Sequence, residues 1–139
     1  MKHFFVDTNV LLDLLGQRTP FGAAAAQLVE AAVQKEVVLY VSSLSFSHID
    51  YALRKTITAP ERLQRMATLA RLVEIIPIDR QIVEAAFGLG FADFEDGLQY
   101  CAALAVPALE AIVTRDPKGF VAGVLPVLTP PAALARVGR

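Results

Sequence analysis

The run Phe4-Phe5-Val6-Asp7-Thr8-Asn9-Val10-Leu11-Leu12-Asp13-Leu14-Leu15 constrains the fold more than any other stretch of the chain. A short apolar segment breaks on an acid and passes at once into a helical spacing of apolar residues. That is how a buried strand delivers a carboxylate to its carboxyl end and turns into a helix. In an open parallel sheet, ligands bind outside the carboxyl ends of the strands. Asp93-Phe94-Glu95-Asp96 and Ile112-Val113-Thr114-Arg115-Asp116 repeat the theme of acids at element ends. A fold that joins the three segments clusters carboxylates, and such a cluster repels itself unless a hard divalent cation neutralises it.

Strand and helix signals alternate along the rest of the chain. Residues 3–6, 37–41, 73–78, 111–114 and 125–128 read as strands, the last a weak edge strand. Helices are expected over 10–15, from Thr19-Pro20 to 34, over 44–57 after a Ser42 or Ser43 cap, and over 60–72. Asp79 and Asp93 cap two more, reaching 89 and 106, and Pro130-Pro131 opens a final short one. The first long helix is expected to bury Leu28, Val29, Ala32 and Val33. Buried strands alternating with helices imply an α/β fold, a three-layer α/β/α sandwich with a mostly parallel central sheet. With no linker or repeat, residues 1–139 form one domain. No glycine-rich phosphate loop follows the first strand, so nucleotide binding of that kind is unsupported.

Composition narrows the setting. The single cysteine, Cys101, excludes a disulfide framework and is expected to be a buried thiol in a reducing compartment. Asp7, Asn9 and Asp13 cut the first apolar stretch, as a signal-peptide core would not tolerate. No apolar run approaches the roughly 20 residues of a membrane span. A soluble cytoplasmic protein with no membrane partner is expected. A net charge of −1 gives no global field for nucleic acid, so any such binding needs local patches. An apolar content of 55% suggests a partner surface, and a homodimer is expected.

Asp7, Asp96 and Asp116 are the candidate catalytic and metal-binding acids, with Asp93 a fourth on the same helix face as Asp96. Oxygen donors of this kind suit Mg²⁺ or Mn²⁺. A cation held there lowers the pKa of a bound water and neutralises charge on a phosphate oxygen, the apparatus of phosphodiester hydrolysis. Each residue also has a plainer reading. Asp93 serves equally as a helix cap, Glu95 as a solvated first-turn acid, Asp13 as a structural or exposed residue, and Asp116-Pro117 as a turn.

The Asp7–Leu15 segment, Phe94-Glu95-Asp96-Gly97-Leu98-Gln99 and Ile112–Asp116, in that order over nearly the whole chain, resemble the PIN domain family. Many small bacterial members are VapC-type toxins of toxin–antitoxin pairs. The resemblance implies a Mg²⁺- or Mn²⁺-dependent endoribonuclease, held inactive by an antitoxin protein. By it, Asp7, Asp96 and Asp116 hold metal, while Thr8 and Asn9 shape the site. The family usually places a Glu early in the helix after the second strand, where this chain has Ser45-Phe46-Ser47-His48-Ile49-Asp50. His48 takes that position, as a Mn²⁺ ligand, a phosphate donor or a plain polar residue at the cleft mouth. Asp50 lies about 200° further round the helix and is expected to pair with Arg54.

Arg115 and Lys118 flank Asp116 and are expected to meet a phosphate. Arg54, Lys55, Arg62, Arg65 and Arg71 read as a solvated basic face, and Tyr51 and Phe120 as core residues with base stacking as the alternative. Two functions from different classes therefore stand. One is a metal-dependent ribonuclease acting on RNA. The other is a weakly active or inactive domain of the same fold that binds RNA or a protein. A small phosphatase is a distant third, because Asp7-Thr8-Asn9 lacks a second aspartate.

Overall fold

Alternation within the strands sorts the core into two layers. The computed structural model describes residues 1–120 and 122–139. In β1 (Lys2–Val6), Phe4 and Val6 face one side of the sheet and Phe5 the other. β2 (Val37–Ser42) splits in the same way, with Leu39 and Val41 opposite Tyr40, and β4 (Ala111–Val113) sets Ala111 and Val113 against Ile112. Side chains two apart share a face of a strand, so each strand feeds both cores. Burying a phenylalanine of this kind stabilises the fold by about 2–3 kcal/mol.

The first core is covered by α1 (Thr8–Leu15), α2 (Gly22–Val33), α3 (Ser43–Leu53), α4 (Ala59–Leu72) and α7 (Pro130–Arg136). The second is covered by α5 (Arg80–Phe87), α6 (Phe94–Leu104) and the 3₁₀ turn Pro117–Phe120. Among the described residues, β3 (Glu74–Ile76) and β5 (Val127–Leu128) complete a five-stranded sheet of order β3-β2-β1-β4-β5. Every pairing is parallel, so the expected mostly parallel sheet is parallel throughout. The chain runs outward from β1 to β2 and β3, then returns to place β4 on the other flank of β1. The strand order therefore reverses between β1 and β4, and a crevice opens at such a point.

Several local expectations are corrected. α2 buries Ala25, Leu28 and Ala31, while Val29 and Ala32 are half-buried and Val33 is exposed. α3 stops at Leu53, where the Thr56 and Ile57 N–H groups both turn back to the Leu53 carbonyl. Ser42 occupies the cap position of α3 without capping it, and the Ser43 hydroxyl accepts from the Ile78 N–H instead. β3 ends before Pro77, which cannot donate to the ladder. Asp50 pairs with Arg62 of α4 at 2.9 Å rather than with Arg54, whose guanidinium lies over the Tyr51 ring. Tyr51 is 67% exposed, whereas Phe120 and Cys101 are buried as expected. No helix among the described residues is long and apolar enough to cross a membrane.

A buried ion pair ties α1 to the exit of β4. Asp13 is only 2% exposed, and Arg115 Nε meets its Oδ2 at 2.7 Å while the guanidinium lies over the Phe21 ring. Removing the arginine leaves a buried carboxylate with no counter-charge. We expect Arg115→Ala to destabilise the protein by about 3 kcal/mol, the low end for a broken buried pair because the arginine is partly exposed. Pairing it with Asp13→Leu should recover much of that loss. Urea unfolding of the single and double variants measures both.

Candidate active site

The register sets the first acid in place. Val6 pairs with Val113, so the next residues, Asp7 and Thr114, emerge side by side at the carboxyl edge of the sheet. The Thr114 hydroxyl donates to Asp7 Oδ2 at 2.8 Å and accepts from Asn9 Nδ2 at 3.3 Å and from the Asp116 N–H at 3.1 Å. One donor and two acceptor positions exhaust a hydroxyl. Asp7 Oδ1 accepts from the Thr8 N–H at 2.8 Å, which makes Asp7 the cap of α1 as well. Asn9 Oδ1 accepts from the Arg115 N–H, closing the ring between the two strand ends.

Thr8 is held from below. Its hydroxyl lies 2.8 Å from that of Ser45, and Gln99 Nε2 donates to both. This buried network joins α1, α3 and α6 and orients the first turn of α1. Gln99, Ser45 and Thr114 escaped the sequence reading. A hydroxyl residue in register with Asp7 was a signal for Thr114, but Gln99 carried none, being one polar residue inside an apolar helix.

The second group of acids comes from α6. Asp93 caps that helix and accepts from the Asp96 N–H at 3.1 Å. A cleft of about 340 Å³ runs between the two groups, lined by Asp7, Thr8, Asn9, His48, Asp93, Glu95 and Asp96 among others. Asp116 is exposed beside it, fixed through Thr114. Glu95 is no merely solvated acid, because its Oε1 lies 2.9 Å from His48 Nδ1 across the cleft. Arg115 turns away to Asp13, which leaves Lys118, exposed and without an ion pair among the described residues, as the cation beside Asp116. A hollow of similar size, about 360 Å³, lies among α1, α2 and α4 and carries no acid.

Electrostatics mark the acidic cleft as unusual. Burial raises the Asp7 pKa, opposed by its hydrogen bonds from Thr114 and Thr8 and reinforced by the charges of Glu95 and Asp116. Asp96 is pushed up to about 6, first by burial and then by Asp93, Asp7, Glu95 and Asp116. The acids are thus close enough to repel one another. No group of three or more His, Cys, Asp or Glu among the described residues is drawn tightly enough to hold a metal ion unaided. Mg²⁺ keeps several waters and binds through one or two carboxylates together with substrate phosphates. The donor set, all carboxylate oxygens apart from His48, fits the same ion.

A model of the PIN domain family matches residues 3–118. Among solved structures, a toxin–antitoxin complex from Klebsiella pneumoniae contains a chain 25% identical, with TM-score 0.66, covering 91% of this chain and 96% of that one. VapBC2 from Rickettsia felis, bound to a DNA fragment from its promoter, is similar at TM-score 0.71 and 16% identity, covering 91% and 98%. VapC20 from Mycobacterium tuberculosis, a sarcin–ricin loop cleaving toxin, is similar at TM-score 0.68 and 16% identity, covering 88% and 96%. No curated protein sequence matches the chain.

Two outcomes follow from the crowding of charge. A carboxyl whose folded pKa lies above its unfolded value of 3.8 favours folding while protonated, and that contribution is lost as pH rises through about 6. Asp96→Asn is therefore expected to raise the melting temperature of the metal-free protein near neutral pH, with the gain fading below about pH 4. Gly119 is the second case, because a Cβ there would stand 2.8 Å from Asp96 Oδ2. Gly119→Ala should displace the Asp96 carboxylate while leaving the fold intact, read as a shift in the Asp96 titration by NMR.

Proposed function

The chain belongs to the PIN domain family, and on that premise we propose that it is a metal-dependent endoribonuclease and the toxin partner of an antitoxin protein. The observation that carries this reading is the acidic cleft at the β1–β4 reversal, which Asp7, Asp93, Glu95 and Asp96 line together and where the charge of Asp7 helps to raise the Asp96 pKa. Asp7, Asp96 and Asp116, with Asp93 beside them, are the residues that would hold Mg²⁺ or Mn²⁺. Such an ion, when bound, supplies an activated water and neutralises charge on the scissile phosphate.

The chain's own groups then have distinct tasks. The Thr114 hydroxyl fixes Asp7 Oδ2 by donation, and the backbone N–H of Thr8 fixes Oδ1, so the carboxylate holds one orientation without substrate. Lys118 offers an ammonium to the RNA backbone beside Asp116. Tyr51, exposed on α3, and Arg54, exposed just beyond its end, supply a stacking face and a charge for single-stranded RNA. The Klebsiella structure is a toxin–antitoxin complex, which supports a partner of that kind here.

A second reading has one observation in its favour. α3 carries His48 where the family usually carries a Glu, and an inactive domain that binds RNA or protein would follow from a site too weak in charge. The two readings separate in a cleavage assay on structured RNA with Mg²⁺, Mn²⁺ or EDTA. The nuclease reading expects cleavage with either metal and none in EDTA. It also expects Asp7→Asn to lower the rate by roughly 100-fold or more with the fold retained, since even outer-shell changes at metal sites cost 10–100-fold. RNA binding without cleavage in both metals would support the inactive domain.

A further inference from the structure

The carboxylate missing from α3 has a counterpart on the opposite wall of the cleft. The sole acid of α3 is Asp50, and it is engaged by Arg62 at 2.9 Å. His48, two residues earlier, lines the cleft and brings no negative charge of its own. Its Nδ1 instead meets Glu95 Oε1 at 2.9 Å, reaching from α3 to the first turn of α6. We infer that Glu95, held by His48, supplies the carboxylate that the family usually takes from the helix after the second strand, and that His48 is a positioning residue rather than a metal ligand. This rests on the metal site proposed above.

Three observations bear on the assignment. First, Glu95 lines the same cleft as Asp7, Asp93 and Asp96. Second, Glu95 directly precedes Asp96 in the first turn of α6, so both carboxylates leave the same end of that helix at the cleft. A first-turn acid serving only the dipole of α6 would have no need of a partner 47 residues away. Third, Glu95 uses one oxygen on His48, and its Oε2 makes no hydrogen bond among the described residues, so a donor oxygen remains. An imidazole N–H on one oxygen of a liganding carboxylate is the usual outer-shell device for fixing its orientation. The donor set then stays all oxygen, which suits Mg²⁺ rather than a softer ion.

Isothermal titration of Mg²⁺ and Mn²⁺ into the metal-free protein, without RNA, tests the assignment, with circular dichroism to verify folding of each variant. Glu95→Gln keeps the shape and an acceptor for His48 but removes the charge, and should weaken Mg²⁺ binding about 10-fold or more. His48→Ala should weaken it by a smaller factor. His48→Asn, whose amide N–H stands near the Nδ1 position, should restore most of that loss and leave the Mn²⁺ to Mg²⁺ affinity ratio unchanged. Wild-type Mg²⁺ affinity in Glu95→Gln would overturn the inference, as would a selective loss of Mn²⁺ in His48→Asn. Asp7→Asn separates this failure from that of the site itself. If Asp7→Asn loses Mg²⁺ while Glu95→Gln keeps it, only the role of Glu95 falls. If neither variant changes the titration, or the wild type binds no metal, both fall.

Discussion

The carboxyl edge of the sheet depends on one hydroxyl. Thr114 donates to Asp7 and accepts from Asn9 and from the Asp116 backbone, so two segments more than 100 residues apart in sequence share a single oxygen. Asp7 is almost wholly buried, and burial alone would press it to take up a proton. The donations from Thr114 and Thr8 counter that pressure and hold the side chain in one place. This arrangement requires β1 and β4 to be neighbours in register, which the reversal of strand order between them provides.

The cleft takes its walls from both layers of the fold. α3 packs Ile49 and Leu53 into the first core, and α6 packs Leu98, Tyr100 and Cys101 into the second. The Thr8–Ser45–Gln99 network crosses beneath the cleft, and the His48–Glu95 pair crosses above it. Two polar links of different depth thus join helices whose main apolar contacts lie in different cores, with only Leu44 of α3 reaching the second. The buried link is the stronger constraint, because a hydrogen bond removed from water is costly to leave unmade.

The order of strands and helices was legible because short apolar runs buried on both faces and helical spacings are local properties of the chain. So were Asp7 and Asp93 as acids at element ends, where caps and strand exits coincide. What stayed hidden was pairing at a distance. Asp50 has Arg54 one turn away, the obvious local partner, yet Arg62 on the next helix takes it. Val33 belongs to an apolar run, but the helix rotates it to solvent and buries Ala25 and Ala31, which look featureless in sequence. Glu95 reads as an ordinary first-turn acid until His48 is seen across the cleft. Arg115 likewise sits beside Asp116 in sequence and on Asp13 in space.

Asp7 and Asp93 line the acidic cleft, and each is also the side-chain cap of the helix that follows it. Loss of such a cap costs a helix about 1 kcal/mol, and asparagine or serine serves nearly as well as aspartate. A chain with no chemistry at this cleft would still be held by its folding to a small polar residue at both positions. Neither Asp96 nor Asp116 caps a helix with its side chain among the described residues, so no such pressure protects them. Helix capping therefore accounts for an acid at 7 or 93 without any chemistry, and it does not account for one at 96 or 116.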